Sequence, residues 1–156
     1  IAYLPQMGNV FTELTVGENL RLASYLLDKS EVKERMDEVL NLFPILEKFI
    51  NRRAGTLSGG EQRMLAIARG LITKPKLLLI DEVSLGLAPK IVTQIYEVFN
   101  ELSRLGITLL LVEQYVVKVL KSTDRAYLLE QGRIVLEGLS EELLKNDYIR
   151  KTYIGE

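Results

Sequence analysis

The chain contains no cysteine and no histidine. The first absence rules out disulfides and thiolate chemistry and fits a cytosolic setting. The second removes the usual general base near neutral pH and the commonest metal ligand. Acid–base or metal work must then fall to carboxylates and amides. No apolar run approaches the roughly 20 residues of a membrane-spanning helix, so any service at a membrane is that of a peripheral subunit. Neither charge sign is in excess: 20 Lys and Arg stand against 21 Asp and Glu, a formal net charge of −1. Such a chain, with a pI of about 5.7, lacks the basic surplus of a general nucleic-acid binder. The phosphate-cradling pattern G-x-x-x-x-G-K-S/T does not occur in these 156 residues. The chain opens on Ile1-Ala2-Tyr3-Leu4, which reads like the inside of a strand, so we expect a fragment whose N-terminal part lies upstream.

Two motifs stand out. Leu57-Ser58-Gly59-Gly60-Glu61-Gln62 puts a hydroxyl and two glycines at the start of a helix. Backbone N–H groups there can approach an anion closely, and the helix dipole favours negative charge. Leu77-Leu78-Leu79-Ile80-Asp81-Glu82 is a short apolar run ending in two carboxylates. A buried strand that delivers acids to a site at its C-terminal end has this form. A phosphate cradle followed by a metal-binding acid points to nucleotide chemistry. Each motif also has a plainer explanation. Ser-x-x-Glu is a common helix cap, and two acids at a strand end are often only solvated.

Around these motifs the pattern alternates strands and helices, which implies a βαβ architecture. Strands are expected at 1–4, 76–81 and 107–112, and a hairpin over 126–137 turning at Gln131-Gly132. Thr15 with Glu18, and Ser58 with Glu61, form capping boxes. Ser30 is expected to cap a second helix that Pro44 ends, and Ser140 to cap the last helical region. Pro89 suits a first helical turn and Gly106 a C-terminal stop. The seven tyrosines are scattered and read as packing residues.

The order Leu-Ser-Gly-Gly-Glu-Gln then Leu-Leu-Leu-Ile-Asp-Glu resembles the signature and Walker B motifs of ABC-type ATPases. That resemblance implies an α/β fold: a partial RecA-like P-loop ATPase core, mostly parallel sheet, with an inserted helical subdomain. Residues 13–62 would be the subdomain, and 1–12 and 63–156 the core and C-terminal extension. It implies ATP and Mg²⁺ as ligands, with Ser58, Gly59, Gly60 and Glu61 contacting nucleotide held by a second ATPase subunit. Asp81 would hold Mg²⁺ and Glu82 would act as general base. Gln6, in Tyr-Leu-Pro-Gln, is similar to the family's Q-loop glutamine, a sensor of metal and attacking water. Gln114, in Leu-Val-Glu-Gln, stands where most of the family has the His that touches the γ-phosphate. Ser84-Leu85-Gly86-Leu87-Ala88-Pro89, Gln114 and the ending Tyr153-Ile154-Gly155 narrow the resemblance to branched-chain amino acid importers. Two residues depart from the pattern: Val83 replaces the usual Pro, and Gln6 a Glu frequent in that subgroup. Transmembrane permease subunits would be the partners, with no nucleic acid, and the site of action the cytoplasmic face of the cell membrane. The alternatives are a non-transport ABC ATPase, or a piece inactive by itself because the phosphate loop is absent.

Overall fold

The apolar runs at 77–81 and 107–112 pair side by side, as continuous hydrophobic strands do when a sheet is parallel. In the computed structural model, which describes residues 1–6 and 10–154, β1 (Ala2–Leu4), β2 (Leu77–Asp81) and β3 (Thr108–Val112) form a parallel sheet in that order. The register aligns Leu4 with Ile80, and Asp81 with Val112. Residues 7–9 and 155–156, including Gly8, Asn9 and Gly155, lie outside the described part. The chain divides into two compact units, 1–112 and 113–156.

In the first unit a helical stretch separates β1 from β2. Helix α1 (Val16–Ala23) starts at Thr15, with the expected box to Glu18. Glu18 Oε2 accepts from the Thr15 N–H at 2.7 Å, and that bond leads the causes holding the Glu18 pKa below its ordinary value. Fully buried Asn19 ties the preceding loop down: its carboxamide exchanges two 2.9 Å hydrogen bonds with the Phe11 backbone. Helix α2 (Lys29–Leu42) begins earlier than the pattern suggests. Ser30 is not its cap. Asp28 already takes the extended cap conformation, and its carbonyl accepts from Glu31 N–H at 2.9 Å. Pro44 ends α2 by serving as the first residue of α3 (Pro44–Lys48). Helix α4 (Gly59–Leu71) follows, capped by Ser58. Arg35, on α2, closes the far end of α4 by donating to the Leu71 and Ile72 carbonyls at 3.1 and 3.2 Å.

Helix α5 (Pro89–Arg104) links β2 to β3, with Pro89 in its first turn and Gly106 beyond its end at φ +84°. Its Ile95, Tyr96, Phe99 and Leu102 are buried. They join Leu65, Ile67, Leu71, Leu78 and Ile80 in one core on a single face of the sheet. On the other face Tyr3, Leu110 and Val112 are each more than half exposed.

In the second unit α6 (Val116–Leu120) precedes an antiparallel hairpin of β4 (Arg125–Glu130) and β5 (Arg133–Leu139). Gln131 and Gly132 both have positive φ, +49° and +76°, the requirement of a tight two-residue turn. Helix α7 (Ser140–Leu143) starts at Ser140 itself, so Ser140 is its first residue and not its cap. Its hydroxyl is instead taken by Thr123 Oγ1 at 2.9 Å, and its N–H donates to Asp124 O. A short helix, α8 (Asp147–Ile149), then leads into a π-type turn over Arg150–Ile154. Leu120, Leu143 and Ile149 form this unit's own small core. Two tyrosines do more than pack: the Tyr148 and Tyr153 hydroxyls donate to Glu130 Oε1 at 2.6 and 2.9 Å. Those bonds hold the neutral phenols and push both pKa values up.

Candidate functional site

Strand β2 delivers Asp81 to its C-terminal end, and the chain turns there at once. Glu82 has φ +47°, a left-handed conformation that costs a residue with a side chain on the order of 1–3 kcal/mol. Its N–H still donates to Val112 O at 2.8 Å. The ladder with β3 therefore runs one residue past the strand while the Glu82 side chain leaves the strand alternation. Val83 and Ser84, at 1% and 2% exposure, anchor the turn. At Val83 a buried side chain holds the loop where a proline ring would otherwise restrain it.

Glu82 turns toward the end of β1. Gln6 Nε2 donates to Glu82 Oε2 at 2.6 Å, across 76 positions of sequence. A carboxylate offers about four lone-pair sites, so this bond does not exhaust its capacity to accept from a water. Asp81 lies on the open side, where the Tyr3 hydroxyl stands 3.5 Å from its Oδ2. Among the described residues no cluster of three or more His, Cys, Asp or Glu occurs. Mg²⁺ in nucleotide sites takes one or two carboxylates and completes its shell with waters and substrate phosphates. The hard oxygens of Asp81 fit that demand, and the Gln6 carboxamide that donates to the adjacent Glu82 carries an amide oxygen of the same kind.

The start of α4 is the second part. Ser58 Oγ accepts from Glu61 N–H at 3.4 Å, and Glu61 Oε2 accepts from Ser58 N–H at 2.7 Å. The Glu61 carboxylate is thus engaged in the cap. The N–H groups of Gly59 and Gly60 belong to the helix-start donors that have no intrahelical acceptor. The two glycines differ in what requires them. A Cβ on Gly60 would lie 2.9 Å from Ile91 Cγ2, on α5, whereas a Cβ on Gly59 would meet nothing within 4 Å. Gly60 is demanded by packing; Gly59 leaves open surface in front of the helix start.

Of the residues expected at a site, the fold brings Gln6 and Glu82 into contact and places Asp81 beside Glu82. Ser58, Gly59, Gly60 and Glu61 form the start of α4. Gln114 belongs to the second unit, exposed, with its carbonyl accepting from Val116 N–H at 3.0 Å. Two neighbours of the site escape sequence reasoning. Tyr3 reads as a packing residue until β1 is laid beside β2. Arg63 directly follows the Ser58–Gln62 motif, and its Nη2 donates to Gln6 O at 2.7 Å. Neither has a sequence pattern, because both contacts span more than fifty positions.

A family model described as "ABC transporter" matches residues 1–84. The chain belongs to the ABC transporter family. It is 52% identical over 155 residues to the high-affinity branched-chain amino acid transport ATP-binding protein BraG of Pseudomonas aeruginosa. It is 47% identical over 156 residues to the probable branched-chain amino acid transport ATP-binding protein LivF of Archaeoglobus fulgidus. Each alignment covers 99% of this chain and 66% of the relative, so the chain spans just under two thirds of their length. Among solved structures it superposes on the ADP conformation of MJ1267, an ATP-binding cassette of an ABC transporter. The TM-score is 0.81 and the identity 29%, with 99% of this chain and 68% of that one covered. The ABC family assignment and this likeness agree with the α/β, partly parallel-sheet fold of a P-loop ATPase core.

Proposed function

We propose that this chain is part of an ATP-binding and ATP-hydrolysing subunit that powers an ABC importer for branched-chain amino acids. The observation that carries the reading is the Gln6–Glu82 hydrogen bond of 2.6 Å beside Asp81, at the end of a central parallel strand. Glu82 accepts the proton of a water attacking the γ-phosphate, and Gln6 orients that carboxylate and senses the water. Asp81, with Gln6, would hold Mg²⁺, which would supply positive charge to the nucleotide's phosphates. Ser58, Gly59 and Gly60, with Glu61 fixing the cap, grip nucleotide held by a second ATPase subunit. The open surface in front of Gly59 supports that arrangement. Gln114 donates to a γ-phosphate oxygen. Residues 13–62 act as the helical subdomain that passes closure to permease subunits on the inner face of the cell membrane. The high identity to BraG and LivF supports the choice of solute class.

Replacing Glu82 by Gln keeps the shape and removes the proton acceptor. In the full-length protein Glu82→Gln is expected to bind ATP, stay dimeric with it, and lose turnover. Size-exclusion chromatography with ATP and a steady-state phosphate-release assay test this. A variant that hydrolyses at the parent rate removes Glu82 from the role.

A further inference from the structure

Arg63 sits one turn into α4, just past the Ser58–Gln62 motif, and its side chain is half-buried. Its guanidinium reaches two successive backbone carbonyls, Gln6 O at 2.7 Å through Nη2 and Pro5 O at 3.4 Å through Nη1. Those carbonyls belong to the segment leaving β1. The side chain of the same Gln6 donates to Glu82 Oε2 at 2.6 Å. One residue is therefore gripped at its main chain by α4 and grips the acid with its carboxamide. The shorter arginine bond has the length of a charge-assisted hydrogen bond, and partial burial limits competition from water. The planar fork presents donors on separate nitrogens to two neighbouring acceptors in a fixed geometry, whereas a lysine has its three donors on one nitrogen and no such fork.

We propose that Arg63 is a positioning residue that couples the start of α4 to Glu82 through Gln6. The inference rests on the reading of Glu82 as the general base. A displacement of α4, as when its N-terminus takes up an anion, is passed by the guanidinium to the Gln6 main chain. The carboxamide then shifts against the Glu82 carboxylate. Arg63 touches neither nucleotide nor water in this scheme, and its effect is confined to where Gln6 holds the acid.

The test is a double-mutant cycle in the full-length protein, with kcat and KM for MgATP measured separately. Arg63→Ala is expected to lower kcat about tenfold, as misplacement of a catalytic group does, with KM within about twofold. In a Gln6→Ala background Arg63→Ala should add nothing, because the path to Glu82 is already cut; effects on independent sites would multiply instead. Arg63→Lys, which keeps the charge and donors on a single nitrogen but loses the fork, should recover part of the rate. If Arg63→Ala does not fold, Arg63→Lys takes its place in the cycle, with a smaller loss of kcat expected and the same absence of any added effect in the Gln6→Ala background. Multiplying effects, or Arg63→Ala at the parent rate while Glu82→Gln is inactive, overturn the coupling alone. Glu82→Gln at the parent rate overturns the coupling together with its premise.

Discussion

The two glycines of one motif answer to different constraints, and substitution separates them. Ile91 is β-branched and stiff at χ1, so the 2.9 Å approach of a Cβ on Gly60 is not relieved by rotating a flexible tip. Overpacking of this kind costs about 1–3 kcal/mol, more than the roughly 1 kcal/mol of helix propensity gained by alanine. Gly60→Ala should lower stability in urea unfolding. Gly59→Ala should leave stability within about 0.5 kcal/mol yet weaken nucleotide-dependent association of the full-length protein, measured by sedimentation. Equal stability for the two variants would contradict the packing assignment. Gln114 is a second residue whose substitution is informative. Its amide donates as a His N–H does but takes no proton near neutral pH. Gln114→Ala should reduce steady-state ATPase of the full-length protein on the order of 10²-fold, and Gln114→His much less. An alanine variant with parental turnover would make it a bystander.

Among the elements, the two capping boxes are helix starts where sequence and structure coincide. The Thr15–Glu18 and Ser58–Glu61 boxes both form, because a cap is decided by residues three apart and needs no tertiary partner. Ser30 and Ser140 fail as caps for the complementary reason. Each is preceded by a residue that already takes the extended cap conformation, Asp28 and Leu139, and composition alone does not rank such neighbours. The first box carries a pH dependence. The Glu18 pKa is lowered in the folded chain, chiefly by its bond from Thr15 N–H. Its contribution is therefore present above the unfolded carboxylate value and is lost as pH falls through the lower folded value. Glu18→Gln should flatten the acid limb of a thermal-melting profile relative to the parent, and parallel profiles would exclude the effect. At Tyr148 and Tyr153 the sign reverses: their pKa values are raised, so that contribution holds below the unfolded phenol value and disappears as pH rises through the folded one.

For the whole molecule, the 156 residues supply acids and a helix start but no G-x-x-x-x-G-K-S/T loop. Expressed by itself, this chain is expected to show no micromolar affinity for MgATP by calorimetry. Tight binding there would mean that other groups of these 156 residues hold the β- and γ-phosphates. Strand and helix periodicity and turn residues were enough to imply an α/β architecture with parallel strands, and it was the resemblance of the two motifs to the ABC family that pointed to Asp81 and Glu82 as candidates. These are local or short-range properties, written in the spacing of apolar, capping and turn residues. Only the tertiary structure decided how the site is held. Parallel strands are joined by long crossovers, so the Gln6–Glu82 contact spans 76 positions and the Arg63–Gln6 contact 57, with no periodicity to announce either. The left-handed turn at Glu82 is likewise invisible beforehand, since a glutamate adopts it only where the ladder to Val112 and the buried Val83 impose it.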